Sequence, residues 1–487
     1  SGMSHLAVDL GASGGKVYLG TVGDGEVAVE PIARFRTRPT ERDGRYVWDL
    51  DRLLGNLRGA LDDVLRTRDV DTVAVDTWGV DFGLIDDGAP VSDPYSYRDP
   101  AVGSTIDAIT RTVDRFELFR RTGINHWNLP NTLWQYHHLA ADQPEVLSRA
   151  EQLVMMPQLV ATLLGARPAC EPTIASTTQM LDPRTRTWDR ELLDRLDLPT
   201  DPLPDIERAG TTVGTLGTTD IDIVLPASHD TASAVAGLPL AGDTAAFLST
   251  GTWFVVGLEL DSPVLTQDAF ELGASNELGV EDTVRFVSNI NGFFLLEECR
   301  ERWAVGGEPP SYATLLTAAA EATTDALVNP DDPLFGIEGA MPDRIRWYCR
   351  ETDQAEPETR GAIVRVIVRS LAAKAAVRLA DLTTAAGTSV DRLHLGGGGV
   401  RNELFCQELA TAVGLPVDVG APDATAVGNI LLQAIAAGSV PNLTAGRRLI
   451  ADGLGSTEYQ PREDSSAGAA RERMRSLCDR TVGDHPD

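Results

Sequence analysis

Hydrophobic and polar positions follow strand and helix periods in turn along the first part of the chain. Residues 5–22, HLAVDLGASGGKVYLGTV, contain two apolar runs of strand length joined by a Gly/Ser-rich connection, which predicts a β-hairpin. Residues 48–66 place leucines at helical spacing and predict an amphipathic helix. The β-branched run Thr72–Trp78 predicts a buried strand that ends in Asp76. This alternation of strands and helices favours an α/β sheet.

A second strand-to-helix junction lies near the middle of the chain. Residues 223–226 are apolar and predict a strand, which opens into the turn Ser228-His229-Asp230-Thr231. An Ala-rich helix is expected over residues 232–237. Because α/β proteins place their chemistry at strand ends, this turn is a candidate site.

The opening hairpin pattern recurs in the second half. Residues 245–260, AAFLSTGTWFVVGLEL, again read strand, small-residue turn, strand. This weak duplication places a domain boundary near residue 240. Residues 362–386 then predict a long helix, followed by a strand at 392–395, the glycine run 396–399 and a helix at 403–413.

The expected organisation is therefore two domains and a terminal segment. Residues 3–240 form the first domain, residues 241–455 the second, and residues 456–487, which are polar and charged, a surface helix or frayed tail. The length of 487 residues agrees with more than one core, since single cores stop growing at roughly 250–300 residues.

Charge and composition narrow the function. The net charge of −30 argues against nucleic acid or an anionic membrane as a partner, because such a surface repels phosphate. No stretch approaches the roughly 20 apolar residues that span a bilayer, so we expect a soluble cytoplasmic protein. The five cysteines are scattered and predict reduced thiols and no zinc site.

Three glycine-rich turns could approach phosphate closely: residues 11–16, 249–252 and 396–399. Each could equally use glycine for steric reasons, and none has the GxxxxGK[ST] pattern of a Walker A loop. Their order is more informative. A hairpin with an acid in its first strand, a second hairpin halfway along and a late strand–glycine–helix unit is the arrangement of actin-like ATPases.

The motifs resemble those of the FGGY carbohydrate kinases across nearly the whole chain. They are AVDLGASGGK (7–16), VDTWGVDFGLID (75–86), YRDP (97–100), NTLWQ (131–135), ASHDTASAV (227–235), LSTGTW (248–253) and the glycine run before Asn402. The resemblance implies an α/β fold with two actin-like ATPase (ribonuclease H-like) domains and a nucleotide cleft between them. It also implies a kinase that uses ATP and Mg²⁺ to phosphorylate a small sugar, and the best match among such sugars is a ketose. A homodimer is compatible with the family.

The resemblance assigns the sugar end of the site. Asp230 resembles the catalytic base that takes the proton of the attacking hydroxyl. A helix N-cap is the alternative for that aspartate. His229 and Thr231 resemble sugar contacts, although both also suit an ordinary turn. Gly79, Asn289 and Trp78 match positions near the sugar, and core packing is the alternative for Trp78.

The resemblance also assigns the nucleotide end. Asp9 resembles the carboxylate that holds Mg²⁺, with an ion pair to Lys16 as the alternative. Ala12, Ser13, Gly14, Gly15 and Lys16 would line the first phosphate turn, and Lys16 stands where the family often has Arg. Thr252, Glu297 and Gly398 match nucleotide contacts, with Glu297 in place of a Gln. A kinase for another ketose or a polyol, and a non-catalytic actin-like module that binds nucleotide or sugar, are the competing hypotheses.

Overall fold

A computed structural model describes residues 2–12, 14–464, 466–483 and 485. The strands are β1 (Met3–Leu10), β2 (Gly14–Gly23), β3 (Glu26–Arg36), β4 (Thr40–Arg42), β5 (Arg45–Val47), β6 (Thr72–Thr77), β7 (Phe82–Asp86), β8 (Ala89–Pro90), β9 (Gln152–Met155), β10 (Leu181–Asp182), β11 (Thr187–Trp188), β12 (Thr212–Thr215), β13 (Asp222–Val224), β14 (Ala245–Thr250), β15 (Trp253–Leu260), β16 (Ser275–Leu278), β17 (Val284–Asn291), β18 (Leu393–Gly397), β19 (Val417–Val419) and β20 (Thr457–Tyr459).

The helices are α1 (Leu50–Leu65), α2 (Thr105–Thr110), α3 (Arg115–Thr122), α4 (Thr132–Asp142), α5 (Pro144–Arg149), α6 (Met156–Leu164), α7 (Pro172–Ala175), α8 (Arg190–Arg195), α9 (Asp230–Ala236), α10 (Gln267–Leu272), α11 (Phe294–Arg302), α12 (Tyr312–Glu321), α13 (Met341–Glu351), α14 (Arg360–Ala386), α15 (Glu403–Val413), α16 (Ala424–Ala436), α17 (Leu443–Gly453) and α18 (Ala467–Cys478). Short 3₁₀ turns occupy Pro100–Val102, Ser176–Thr178, Pro333–Phe335 and Gly398–Arg401.

The chain divides into two compact units that are not continuous in sequence. The first comprises the chain up to Ala241 together with Glu259–Phe286 and Asp423–Gly455. The second comprises Gly242–Leu258, Val287–Pro422 and the residues from Ser456 onward. The first division falls beside the predicted boundary near residue 240. Two later segments nevertheless return to the first unit, and the expected polar tail contributes β20 and α18 to the second.

The first unit is built on a six-stranded sheet with the order β12-β13-β6-β1-β2-β3. The predicted opening hairpin is present, since β1 and β2 pair antiparallel with Asp9 opposite Lys16. Strand β6 runs parallel to β1, and Asp9 pairs in register with Asp76. Every residue of β6 is buried, as its continuous apolar run predicted. The parallel arrangement brings the carboxyl ends of β1 and β6 to the same edge of the sheet.

Helix α1 shows why the leucine pattern was readable from sequence. The side chain of Asp49 caps it by accepting from the Arg52 backbone N–H, and its leucine stripe is buried against the sheet. Helix α9 begins at Asp230, two residues before the predicted start. Strand β13 ends at Val224, before its predicted end at Pro226, because proline has no N–H to extend the ladder.

In the second unit, strands follow the order β15-β14-β18-β19-β20, and β14 and β19 both run parallel to β18. Helix α14 matches the predicted long helix to within two residues, and α15 has the predicted bounds. The structure is therefore the expected mixed α/β class. None of the helices in the described part of the chain is long and apolar enough to cross a bilayer.

Candidate active site

Three chain segments end side by side at one edge of the first unit's sheet. The backbone N–H of Trp78 donates to the Leu10 carbonyl at 3.2 Å, and that of Thr77 donates to the Ser228 carbonyl at 2.9 Å. Thr77 also pairs with His229 in a parallel bridge. The three aspartates Asp9, Asp76 and Asp230 therefore lie on neighbouring segments, at the strand ends where α/β proteins place ligands.

Asp9 and Asp76 form a pair of carboxyl groups. Each lies within hydrogen-bonding reach of the other, and burial raises the pKa of both. The charge of Lys16 acts in the opposite direction and lowers the pKa of Asp9, but more weakly than burial raises it. Asp76 is fully buried, and its Oδ1 receives no hydrogen bond from a donor in the described chain. Two carboxyl groups this close and largely shielded from water favour a proton or a cation between them.

A series of hydrogen-bonded, buried side chains holds the Asp76 carboxylate in place. Asn429 on α16 donates its Nδ2 hydrogen to Asp76 Oδ2 at 2.7 Å, and Gln433 donates to Asn429 Oδ1 at 2.7 Å. Thr72 in turn donates to Gln433 Oε1 at 2.6 Å, and His5 contacts the Thr72 hydroxyl at 2.7 Å. The hydrogen bonds run in series from Thr72 through Gln433 to Asn429, and Asn429 is the member that donates to the Asp76 carboxylate and orients it.

Asp230 is the first residue of α9, and His229 occupies the N-cap position. Asp230 Oδ1 accepts from the neighbouring Thr231 N–H at 2.8 Å, and His229 holds the N-cap position, so the N-cap alternative for Asp230 is not the observed arrangement. Its side chain remains 26% exposed. Burial, and next the charge of Asp9, raise the pKa of Asp230 to about 8. The group is thus accessible and has the raised pKa that suits a proton acceptor near neutral pH.

Buried side chains hold the turn before α9 in place. Glu171 Oε2 accepts from the Ser228 N–H at 3.0 Å, and the Thr173 hydroxyl accepts from the His229 N–H at 3.2 Å. Helix α9 then packs closely on α16 through two glycines. A Cβ at Gly428 would lie 1.8 Å from the Ser233 carbonyl oxygen, and one at Gly237 would lie 2.0 Å from that of Ala424.

Arg285, at the start of β17, lies behind His229 and Thr231. Its guanidinium is within 3.2 Å of Glu277 Oε2, donates to the Thr231 hydroxyl at 2.8 Å and contacts His229 Nδ1 at 3.2 Å. Burial lowers the pKa of His229 to about 4, so the ring is neutral at pH 7. Sequence reasoning missed Arg285 and Glu277, because they follow the second hairpin and nothing local marks them.

Trp78 is only 5% exposed and packs on Trp48, with ring centroids 4.2 Å apart. Both indole N–H groups donate to Asp81 Oδ2, at 2.9 Å from Trp78 and 2.6 Å from Trp48. Burial raises the pKa of Asp81 to about 6. This geometry is that of the core-packing alternative stated for Trp78.

The neighbouring backbone is strained. Val80 has a φ of 69°, which is unfavourable for a β-branched residue, and the Thr177 and Thr132 hydroxyls bond to its N–H and carbonyl. A Cβ on Gly79 would lie 3.0 Å from Thr177 Cγ2, so the packing at this position favours glycine.

The first of the three glycine-rich segments connects β1 and β2, and hydrogen bonds on either side of Ser13 hold it. The Gly11 N–H donates to the Gly14 carbonyl at 2.8 Å, and the Thr37 hydroxyl donates to the Gly11 carbonyl at 2.7 Å. Gly15 has a packing reason of its own, since a Cβ there would lie 2.4 Å from the Phe35 ring. Ala12 and Lys16 are half-buried beside the turn, whereas Ser13 lies outside the described residues.

The second unit holds the remaining nucleotide candidates. The Thr250 hydroxyl donates to the Gly396 carbonyl at 2.7 Å and accepts from the Gly399 N–H at 2.8 Å, joining the two glycine-rich turns. Gly397 has a φ of 82°, and a Cβ there would lie 2.1 Å from the Thr250 carbonyl oxygen. Close packing therefore requires glycine at Gly397 and Gly399 of the late glycine run. Thr250 lies within the predicted turn 249–252, but the sequence did not indicate that its hydroxyl joins the two turns.

The other predicted residues of the second unit are accessible. Thr252 is exposed, and its carbonyl accepts from the Gly292 N–H at 3.0 Å. Gly398 is exposed with open space where a Cβ would stand, and Asn289 is exposed on β17. Glu297 contacts Arg300 at 3.1 Å and is 41% exposed, so an ion pair already occupies one of its carboxylate oxygens.

Comparison with known proteins identifies the class. The model of the C-terminal domain of the FGGY family of carbohydrate kinases matches residues 246–437, and that of the N-terminal domain matches residues 4–231. The protein is thus a carbohydrate kinase. More specifically, the chain belongs to the FGGY family.

Relatives agree with that assignment, and a solved structure agrees with the fold. A rhamnulokinase of Bacteroides thetaiotaomicron is 36% identical, covering 96% of this chain and 98% of the relative. A rhamnulokinase of Ligilactobacillus salivarius is 33% identical, covering 94% and 96% respectively. The crystal structure of Plasmodium falciparum glycerol kinase with ADP matches with a TM-score of 0.80 over 99% of both chains, at 15% identity, which establishes likeness of fold.

Proposed function

We propose that this protein transfers the γ-phosphoryl group of ATP to a ketose, and that the ketose is L-rhamnulose, converted to L-rhamnulose 1-phosphate. Family membership supports the reaction class, and the relatives named rhamnulokinase support the sugar. One observation carries the chemical role: an accessible carboxylate, Asp230, stands at the strand-end edge with a pKa raised to about 8.

Asp230 acts as the general base in this proposal. It takes the proton of the sugar's O1 hydroxyl while that oxygen bonds to the γ-phosphorus of ATP, and the bond from phosphorus to the β–γ bridging oxygen breaks with its electron pair leaving on ADP. His229 and Thr231, the residues on either side of the base, orient the sugar hydroxyls. Gly79 and Asn289 complete the sugar contacts, whereas the burial of Trp78 favours a supporting role for its ring.

The nucleotide contacts are assigned by the same proposal. The backbone amides of glycine-rich turns offer donors to phosphate oxygens, and Lys16 adds a positive charge. In the first unit the turn comprises Ala12, Ser13, Gly14, Gly15 and Lys16; in the second the contacts are Thr252, Gly398 and Glu297. Because Glu297 is acidic and contacts Arg300, we expect it to meet hydroxyl groups of the ribose rather than phosphate.

A magnesium ion fits the Asp9 end of the site. Asp9, which is half-buried, and the fully buried Asp76 form an acidic pair, and Asp76 Oδ1 receives no donor from the described protein, so a hard cation would find oxygen ligands there. Within the described ranges, no three acidic, histidine or cysteine side chains converge as a metal cage. Asp9 would therefore hold Mg²⁺ together with the ATP phosphates. When bound, the ion would neutralise the negative charge of the phosphoryl group.

Two experiments test the proposal. A coupled assay of ADP release with L-rhamnulose, L-fuculose, xylulose, ribulose and glycerol should give the highest kcat/KM for L-rhamnulose. If another compound in the panel gives a higher kcat/KM, the proposed sugar is wrong but the proposed kinase activity stands. If no sugar raises ADP release above the background ATPase rate, the non-catalytic sensor is supported and the proposal fails.

The Asp230→Asn variant tests the base. We expect kcat to fall about 10²- to 10⁴-fold, with the fold and ATP binding retained. Asp222→Asn makes the same chemical change at an exposed position of β13 and should leave kcat unchanged. Near-normal turnover by the Asp230→Asn variant would show that Asp230 is not the general base.

Two further properties belong to the proposal. Because ATP is the phosphoryl donor, we place the protein in the cytoplasm. A homodimer stays a prediction, to be measured by light scattering on purified protein.

A further inference from the structure

The guanidinium of Arg285 is buried in the first unit, with the residue only 1% exposed. Its Nε donates to the Leu278 carbonyl at 3.1 Å, and its Nη1 donates to the Thr231 hydroxyl at 2.8 Å. Nη1 also lies 3.2 Å from Glu277 Oε2, so the buried charge is paired. The remaining nitrogen, Nη2, lies 3.2 Å from His229 Nδ1. These contacts constrain the guanidinium on three sides.

The contact with His229 determines where the imidazole carries its hydrogen. Arginine has five N–H donors and no acceptor, so Nη2 can only donate. His229 Nδ1 must then offer its lone pair. Because burial lowers the pKa of His229 to about 4, the ring is neutral at pH 7 and carries a single N–H. That hydrogen is left on Nε2.

Other polar groups also surround the imidazole ring of His229. Glu277 Oε2 lies 3.5 Å from His229 Nδ1 and would favour a hydrogen there. The Arg285 contact is shorter, and the same Glu277 oxygen already pairs with Arg285. The Thr231 hydroxyl lies 3.2 Å from Nδ1 and 3.4 Å from Nε2, so it can donate to the nearer Nδ1. Asp230 Oδ1 lies 3.5 Å from Nε2 and also favours a hydrogen on that nitrogen. Burial has the largest effect on the pKa of His229 and lowers it. Among the neighbouring groups, Glu277 raises that pKa, whereas Arg285 and His126 lower it, and the ring stays neutral at pH 7.

We propose that Arg285 is a positioning residue that fixes His229 as the Nε2–H tautomer, so that His229 donates a hydrogen bond to a sugar oxygen beside Asp230. The site then treats two neighbouring sugar oxygens differently: one accepts from His229, and the other gives its proton to Asp230. This selects a sugar that offers an acceptor next to the phosphorylated hydroxyl. The sugar contact rests on the proposed function, whereas the tautomer does not.

Nitrogen NMR of the full-length protein with ¹⁵N-labelled histidine tests the tautomer directly. The seven histidines make the spectrum tractable, and the His229→Asn variant assigns the signal. We expect the wild type to carry hydrogen on Nε2. In Arg285→Met the hydrogen should redistribute to Nδ1, toward Glu277. An Nδ1–H tautomer in the wild type, or a spectrum unchanged by Arg285→Met, overturns the inference.

Kinetics separate positioning from a merely structural role. Arg285→Met should raise KM for the sugar about 10- to 100-fold, as expected for a lost charge-assisted contact, while KM for ATP stays within about twofold. His229→Gln places an amide donor where Nε2–H stood, and Arg285→Met in that background should cost much less than in the wild type. Full additivity of the two changes would contradict the inference.

Controls keep the two proposals apart. Arg208→Met makes the same change at an exposed arginine and should alter neither KM. If Arg285→Met does not fold, the wild-type spectrum and Arg285→Lys, which keeps the charge but not the fork, still decide the question. If the proposed function is wrong, wild-type protein phosphorylates no sugar in the panel; if only this inference is wrong, phosphorylation persists and the tautomer differs.

Discussion

The close crossing of α9 and α16 offers a sharp test of how the fold positions the base. A Cβ added at Gly428 would lie 1.8 Å from the Ser233 carbonyl oxygen, whereas ordinary contacts begin near 3.4 Å. The atoms that the added Cβ would meet all belong to the backbone of Ser233 and Gly237, so no side chain can rotate away to make room. The Gly428→Ala variant must therefore move the helices apart by about 1.6 Å, the difference between these two distances.

Two effects of known size follow. Overpacking of this kind costs about 1–3 kcal/mol of stability. Because Asp230 is the first residue of α9, the same movement displaces the proposed base, and a displacement on the order of 1 Å at a reacting group costs about 10²-fold in rate. We expect a lower denaturant midpoint together with a fall of about 10²-fold in kcat.

The matched control is Gly59→Ala. Gly59 lies on the exposed face of α1, where an added Cβ meets nothing within 4 Å, so alanine should stabilise the helix by about 0.5–1 kcal/mol and leave kcat unchanged. Unfolding in urea and steady-state kinetics on both variants complete the assay. Wild-type stability and kcat in Gly428→Ala would refute the reasoning that this contact positions the base.

Two other predictions follow from the site. Since burial raises the pKa of Asp230 to about 8 and the base acts only when ionised, kcat/KM for the sugar should rise about tenfold per pH unit below pH 8 and level off above it; a flat profile across that range contradicts the role. Thr250→Val removes the hydroxyl that joins the Gly396 carbonyl to the Gly399 N–H, so KM for ATP should rise with little change in KM for the sugar, and Thr250→Ser should restore it. Equal effects on both KM values would argue against a nucleotide role for these turns.

Elements with strong local signals were predicted closely. Helix α15 has the predicted bounds because Asn402 caps its start and Gly414 adopts a left-handed conformation at its end. Both hairpins were likewise visible as apolar runs around small-residue turns. The start of α9 was less well predicted, since a turn that carries Asp230 and Thr231 has no apolar period.

The sequence predicted the division of the chain into two units only in part. The sequence duplication indicated a change near residue 240, and the opening segment of the first unit ends at Ala241. The returns of Glu259–Phe286 and Asp423–Gly455 to that unit leave no local mark, because they depend on contacts between residues far apart in sequence. The continuous domain bounds stay a prediction, and so does the nucleotide cleft between the domains.

The sequence by itself determined the fold class and the family, because motif order and residue type can be read along the chain, and it predicted Asp9 and Asp230 as the carboxylates of the site. The tertiary structure alone decided which groups act on those carboxylates. Asp76 receives its hydrogen bond from Asn429, 353 residues away, and His229 meets Arg285 across 56 residues. Burial is the largest influence on the pKa of Asp76, His229 and Asp230, and burial depends on how the chain packs and not on local sequence.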